Sequence, residues 1–301
     1  MEFKIAVPSG WQDYELLDSG DGEKLERYGA YTIRRPDPQI LWKRTLPESE
    51  WRSADASFLR TIGDKGDWRT TSKLPESWEV HWQNITLHAR LSPFKHTGIF
   101  PEQSAHWQWI RDILAADHTQ RPDYQPNILN LFAYTGGASV VCAAAGAKIT
   151  HVDASRSSIG WAKQNQLASG LDERSIRWIL DDVMKFVRRE ATRGVQYDGI
   201  IMDPPVYGHG PAGERWEFKE SLPQLLEVCQ NILSPQPLFF VINAYAVSTS
   251  AVTLGNLVDD LLGKLGGKTE MGELALTQKS GRMISTGIFA RWQTESGKSK
   301  T

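Results

Sequence analysis

Net charge of either sign is what this 301-residue chain most lacks: 34 lysines and arginines stand against 36 aspartates and glutamates, a balance of −2. A chain-wide cationic grip on nucleic acid is therefore excluded, because phosphate contacts come from clustered Lys and Arg. A local patch stays open, with Arg34, Arg35, Lys43, Arg44 and Arg52 as its candidates and ordinary solvated faces as the alternative. Apolar runs of about eighteen residues are missing too, so no membrane span is expected. Met1-Glu2-Phe3-Lys4-Ile5 lacks a basic stretch leading into a long apolar one and does not read as a secretion signal. Cysteine is scarce. Cys142 and Cys229 lie in segments with helical apolar spacing, and neither has a second Cys or a His at metal-ligand spacing. That argues against a disulfide framework and against a zinc or other metal site. Two buried, reduced thiols in a cytoplasmic protein are the expectation.

What is present falls into two textures. Residues 1–92 hold Trp11, Trp42, Trp51, Trp68, Trp78 and Trp82, half of the chain's 12 tryptophans. Runs such as Tyr31-Thr32-Ile33 and Trp78-Glu79-Val80-His81-Trp82 read as strands. Turn signals separate them at Gly20-Asp21-Gly22-Glu23 and Arg35-Pro36-Asp37-Pro38. A small β-rich domain over 1–92 is the expectation. Its aromatics either stack on bases, as in single-strand binders, or form its core.

Residues 93–301 alternate between strand and helix patterns. Strands are expected at 127–132, 148–153, 176–180, 197–202, 238–242, 273–276 and 284–292, with helices between the first five. This is an α/β, Rossmann-like, seven-stranded sheet covered on both faces, with the last strand inserted antiparallel. Ligands of such sheets bind beyond the carboxyl ends of the strands. Gly136-Gly137 follows the first strand of this half, and glycine allows close backbone approach. Asp153 ends the second strand, where a carboxylate accepts from two ribose hydroxyls or caps the next helix. Asp181-Asp182 follows the third, with adenine binding and helix capping equally open for Asp182. A dinucleotide site requires a G-x-G-x-x-G cradle for phosphate, and the third glycine is absent.

Together these motifs resemble the class I S-adenosylmethionine-dependent methyltransferases, in the group that includes the ribosomal RNA large-subunit enzymes. The resemblance rests on Asn130-Leu131-Phe132-Ala133-Tyr134-Thr135-Gly136-Gly137, the acidic end of strand two, Asp181-Asp182-Val183, and Asp203-Pro204-Pro205. The lead-in His96-Thr97-Gly98-Ile99-Phe100-Pro101-Glu102-Gln103 adds to it. It spans residues 94–292 and implies S-adenosylmethionine as cofactor and RNA as partner. It implies that Phe132, Tyr134, Thr135, Gly136 and Gly137 surround the methionine part. Asp153 with Ala154 would hold the ribose, Asp182 with Val183 the adenine, and Phe100 and Gln103 the pocket wall.

Asp203, Pro204 and Pro205 would border the methyl acceptor, Asp203 as the orienting or catalytic group. Prolines have no N–H, so the segment offers acceptors suited to an amino group. Val206 separates the prolines from Tyr207, a departure from amino-group methyltransferases with an aromatic directly after Pro-Pro. After the fifth strand stands Asn243-Ala244-Tyr245, with no cysteine nucleophile for C5-cytosine chemistry. Tyr207 and Asn243 are thus acceptor-contact candidates. His209, in an expected glycine-bordered loop at 207–211, is either a proton acceptor or an exposed loop residue. Methylation of a protein or small molecule, or binding without turnover, remain the alternatives to RNA methylation.

Overall fold

The computed structural model describes residues 1–60, 66–93, 95–171 and 176–295. The alternating half folds into the expected sheet because its strands are apolar on both faces: Gly199–Met202 and Phe239–Ala244 are buried at every position. Eight strands lie in the order Glu2–Ala6, Lys268–Thr277, Met283–Gln293, Phe239–Ala244, Gly199–Met202, Asn127–Leu131, Lys148–Asp153, Ile176–Leu180. Met283–Gln293 is antiparallel to both neighbours, as expected, and the other pairs are parallel. Chain direction across the sheet reverses at Asn127–Leu131, which lies between Lys148–Asp153 and Gly199–Met202. Helices Val183–Thr192, Phe218–Ile232 and Ala251–Leu262 cover one face with Phe186, Leu225 and Val258. Helices Ser104–Gln120 and Gly137–Ala144 cover the other with Ile110, Leu114 and Cys142.

The expected 1–92 unit is corrected at its start. Glu2–Ala6 is the eighth strand of the large sheet, parallel to Lys268–Thr277. Its pairing is reinforced by Lys4 to Glu270 at 2.6 Å and Lys268 to Glu2 at 2.7 Å. The strand is short, and Phe3 and Ile5 stay exposed, so burial left little signal in the sequence. The remainder forms a five-stranded sheet over Tyr14–Thr70 and a hairpin of Trp78–Trp82 with Ile85–Ala89. Trp51 and Trp82 are fully buried and Trp78 nearly so, which puts them in the core rather than on a base-stacking surface. The core crosses residue 92: Trp82 packs edge-on against Trp107, and Trp11 donates to Ser104 Oγ at 2.9 Å.

The candidate basic patch is laced with acids. Arg34 pairs with Glu23 at 2.6 Å, Lys43 with Asp21 at 2.8 Å, Arg52 with Glu48 at 3.2 Å, and Arg44 with Glu23 and Glu48. Arg35 is buried on Glu26. Among the described residues, no helix is long and apolar enough to cross a membrane, and no three His, Cys, Asp or Glu converge as a metal site.

Candidate active site

The carboxyl ends of the strands open into one cavity of about 680 Å³, a size suited to a cofactor together with part of a substrate. At one end, the strand Asn127–Leu131 runs into a turn that is left-handed at alternate residues: Phe132 at φ 53°, Tyr134 at 48° and Gly136 at 79°. Non-glycine side chains resist this conformation, so the surroundings must hold it. They do so by hydrogen bonds. Ala133 N donates to Val152 O at 3.1 Å and Tyr134 N to Asp153 Oδ2 at 2.7 Å. Asn165 Nδ2 donates to Thr135 O at 2.8 Å, and Thr135 Oγ1 to Gly98 O at 2.6 Å. A Cβ on Gly136 would lie 2.8 Å from Ala162 Cβ, and one on Gly137 2.6 Å from the Trp107 ring. The glycine pair thus lets the turn sit against its neighbouring helices.

Asp153 ends Lys148–Asp153 and faces the cavity. Its oxygens accept from Tyr134 N and, at 2.8 Å, from Ser155 N, which leaves a lone pair on each. Burial raises its pKa against the opposing pull of those two backbone donors. Ser155 caps the following helix through Ser158 N, so Asp153 is free of that task. Asp182 caps Val183–Thr192 through Lys185 N at 2.9 Å, and it also lines the cavity. Asp181 turns aside to Arg189 at 2.8 Å. Phe100, Gln103, Phe132, Tyr134, Ala154 and Val183 also line the cavity. Thr135, Gly136 and Gly137 are not part of its lining and support the wall from behind.

At the other end Asp203, Pro204, Pro205, Tyr207 and Asn243 meet. Gln103 links two of them: its Nε2 donates to Asp203 Oδ2 at 3.2 Å, and its Oε1 accepts from Asn243 Nδ2 at 2.9 Å. Asn243 Oδ1 is buried, and the Asn243 side chain also hydrogen-bonds His106, opposing the downward push of burial on the His106 pKa. Asp203 is left as the carboxylate acceptor of this network that faces the cavity. Burial, and then the charge of Glu102, push the Asp203 carboxyl up to about 7. The segment expected as a loop at 207–211 begins as a strand, Tyr207–His209, paired with Arg215–Glu217 in a hairpin over the cavity. His209 is exposed there, with its ring centroid 5.1 Å from that of Tyr207.

Sequence reasoning missed several wall residues. Trp216 fixes the Asp-Pro-Pro segment by donating to Pro205 O at 2.7 Å and packing edge-on against Phe132 at 4.7 Å. Glu102 adjoins Gln103 in the wall, and Lys24, Arg35, Asp37 and Lys95 close it from the N-terminal side. Glu102 had a signal in the lead-in phrase, and Arg35 and Asp37 had one only as part of a turn and, for Arg35, of a basic patch. Cys142 and Cys229 are buried free thiols outside the cavity lining, and burial pushes Cys142 up to about 12.

A family model described as S-adenosylmethionine-dependent methyltransferase matches residues 60–252. The crystal structure of a SAM-dependent methyltransferase from Agrobacterium tumefaciens is 41% identical, with 97% of this chain and 94% of that chain covered, at a TM-score of 0.91. The chain belongs to the S-adenosylmethionine-dependent methyltransferase family, and its cofactor is S-adenosylmethionine. It is also similar, over 104 residues at 36% identity, to ribosomal RNA large subunit methyltransferase I of Aeromonas salmonicida. Ribosomal RNA large subunit methyltransferase K/L of Shewanella frigidimarina is 35% identical over 111 residues. These alignments cover 34% and 36% of this chain, but only 24% and 15% of the length of those relatives.

Proposed function

We propose that this methyltransferase acts on RNA, ribosomal RNA foremost, with the cofactor at the Asp153 end of the cavity and the acceptor base at the Asp203 end. The cofactor supplies a methyl group already activated on sulfonium, so the protein's task is alignment and exclusion of water. The free lone pairs of Asp153 suit two ribose hydroxyls. The remaining oxygen of Asp182 suits the adenine amino group. The left-handed turn brings backbone close to the methionine part. Asp203 presents an acceptor to the group being methylated, and Asn243 borders it. The buried cysteines, remote from the cavity lining, speak against a C5-cytosine mechanism that uses a thiol nucleophile.

The observation that carries the RNA reading is the rim. Tyr207 is 51% exposed and Tyr245 38%. Arg215 lies 5.6 Å from the Tyr207 ring centroid, and Lys95 lies 5.8 Å from that of Tyr245. Exposed aromatics paired with cations around a deep polar pocket suit a base drawn out of its stack. The names of the shorter-matching relatives point the same way, and the reduced thiols fit a cytoplasmic setting. The test is transfer of tritium from labelled cofactor into total RNA, protein and metabolite fractions. RNA is expected to carry the label; label confined to protein or metabolites overturns the reading.

A further inference from the structure

The end of the cavity away from Asp153 is walled by the N-terminal sheet. Lys24 comes from Glu23–Tyr28, Arg35 and Pro36 from Tyr31–Pro36, and Asp37 follows. Lys95 and His96 complete that wall. A row of rings separates it from the cofactor end: Tyr134 meets Phe100 at 5.7 Å, and Phe100 meets His96 at 5.2 Å.

The three cations here differ in what they have left to offer. Arg35 has four of its five N–H donors engaged. It donates to Glu26 through Nε and Nη2, both at 2.8 Å, to the Tyr28 hydroxyl at 2.8 Å, and to Lys95 O at 3.2 Å. Lys24 is not engaged in this way. Its side chain is only 14% exposed, yet its nearest carboxylate oxygens are Glu26 Oε1 at 3.8 Å and Asp37 Oδ2 at 3.7 Å. Those distances are too long for hydrogen bonds. The Glu26 oxygens are already taken by Arg35, Tyr14 and Tyr28. Lys95 Nζ donates to the Tyr245 hydroxyl at the long distance of 3.5 Å. Burial lowers the Lys95 pKa; Asp37 opposes that shift, and Lys24 and Arg35 add to it. Two ammonium groups thus line one cavity with only long contacts to side-chain oxygens, 3.5 Å or more. An oxyanion within hydrogen-bond distance of both gains charge-assisted hydrogen bonds.

We propose that Lys24 and Lys95 form a subsite for an oxyanion carried by the methyl acceptor. This rests on reading that end of the cavity as the acceptor's. If the acceptor is RNA, the oxyanion is a backbone phosphate of the target nucleotide; a carboxylate is the other source of the same chemistry. Asp37 stands 3.7 Å from Lys24 Nζ and does not occupy its donors. The N-terminal sheet is then part of the acceptor pocket itself, and the acceptor is positioned by its anion as well as by the group that is methylated.

The test uses the full chain with S-adenosylhomocysteine present and ionic strength held constant with chloride. The rise in melting temperature is recorded with inorganic phosphate and, separately, with acetate, for wild type, Lys24→Gln, Lys95→Gln and Lys24→Arg. Michaelis constants for RNA are measured alongside. Phosphate stabilisation is expected to weaken about tenfold in apparent affinity in both glutamine variants. KM for RNA rises by a similar factor, kcat changes little, and Lys24→Arg recovers most of the loss. Lys43→Gln, at a lysine whose side chain is 91% exposed on Asp21, binds phosphate as wild type does. Undiminished phosphate binding in both glutamine variants overturns the subsite, even where RNA is labelled normally. A lysine-dependent response to acetate but not to phosphate keeps the subsite and overturns the RNA reading. Should Lys24→Gln fail to fold, Lys95→Gln decides alone.

Discussion

The two ends of the cavity are built by different rules. The end proposed for the cofactor is assembled from strand ends and the turns that follow them, around Phe132–Gly136, Asp153 and Asp182, and it is held by hydrogen bonds that each involve a backbone N–H or C=O. The acceptor end is gathered from distant parts of the chain, Lys24, Lys95, Glu102, Asp203 and Asn243, and it is held by side chains. A common cofactor calls for a geometry fixed by the fold. An acceptor calls for side chains that change charge and identity without disturbing the sheet. The difference therefore separates what the fold must keep from what it leaves adjustable.

The comparison breaks most visibly at Asp153. Asp153→Ala is expected to weaken cofactor binding about a thousandfold, the loss of two charge-assisted hydrogen bonds worth about 4 kcal/mol together. Calorimetry with S-adenosylmethionine reads it, and unchanged affinity would remove the ribose from this site. Asp203→Asn is expected to do the opposite: kcat falls about a hundredfold while cofactor affinity holds. A matching loss of cofactor affinity would merge the two ends into one.

The Asp203 carboxyl, raised to about 7, gives a third test. If its anion accepts the proton or orients the amino group, kcat rises with pH through about 7 in the wild type and is flat in Asp203→Asn. Stability has the reverse dependence. The folded pKa exceeds the unfolded one, so the stabilisation from the neutral group is full below the ordinary carboxylate pKa of about 4. It is gone once pH has risen through about 7. Asp203→Asn should therefore melt higher than wild type at alkaline pH and close to it in acid; equal melting at both pH values would show that the carboxyl titrates normally.

Gly136→Ala sharpens the backbone side of the comparison. A Cβ 2.8 Å from Ala162, at φ 79°, is expected to cost about 1–3 kcal/mol in stability and to reduce cofactor affinity modestly. Denaturant unfolding and calorimetry measure the two losses. The smallest effect is expected at the thiols: Cys142→Ser and Cys229→Ser should leave methyl transfer intact, with about 1–3 kcal/mol lost for a buried hydroxyl. Loss of transfer in a folded variant would bring back the thiol mechanism.

The Asp153 end of the cavity left its signals in the sequence because each of them is local to one strand end. Glycine at 136, an acid closing one strand and an acid opening the next helix are local signals tied to strand ends. The left-handed backbone at Phe132 and Tyr134 was not legible, because neither residue type announces it. The acceptor wall was hidden for another reason. Lys24 looks like any strand lysine until folding brings it beside Glu26 and Asp37 in a cavity. Trp216 looks like any aromatic after a turn until it reaches Pro205. The strand Glu2–Ala6 was missed because its place in the large sheet depends on a partner 268 residues later in the chain, Glu2 facing Glu270, a separation that no local pattern records.

That first strand has a mechanical consequence. With Glu2–Ala6 and Asn127–Leu131 both fixed in the large sheet, everything between them is a closed span anchored at both ends. The span between them also shares a core with the large-sheet half, from Tyr14, Trp78 and Trp82 to Val140, Leu276 and Ile284. The wall that carries Lys24 is therefore fixed to the sheet by its anchors and by its packing, and it belongs to the cavity as a rigid side rather than as an appendage.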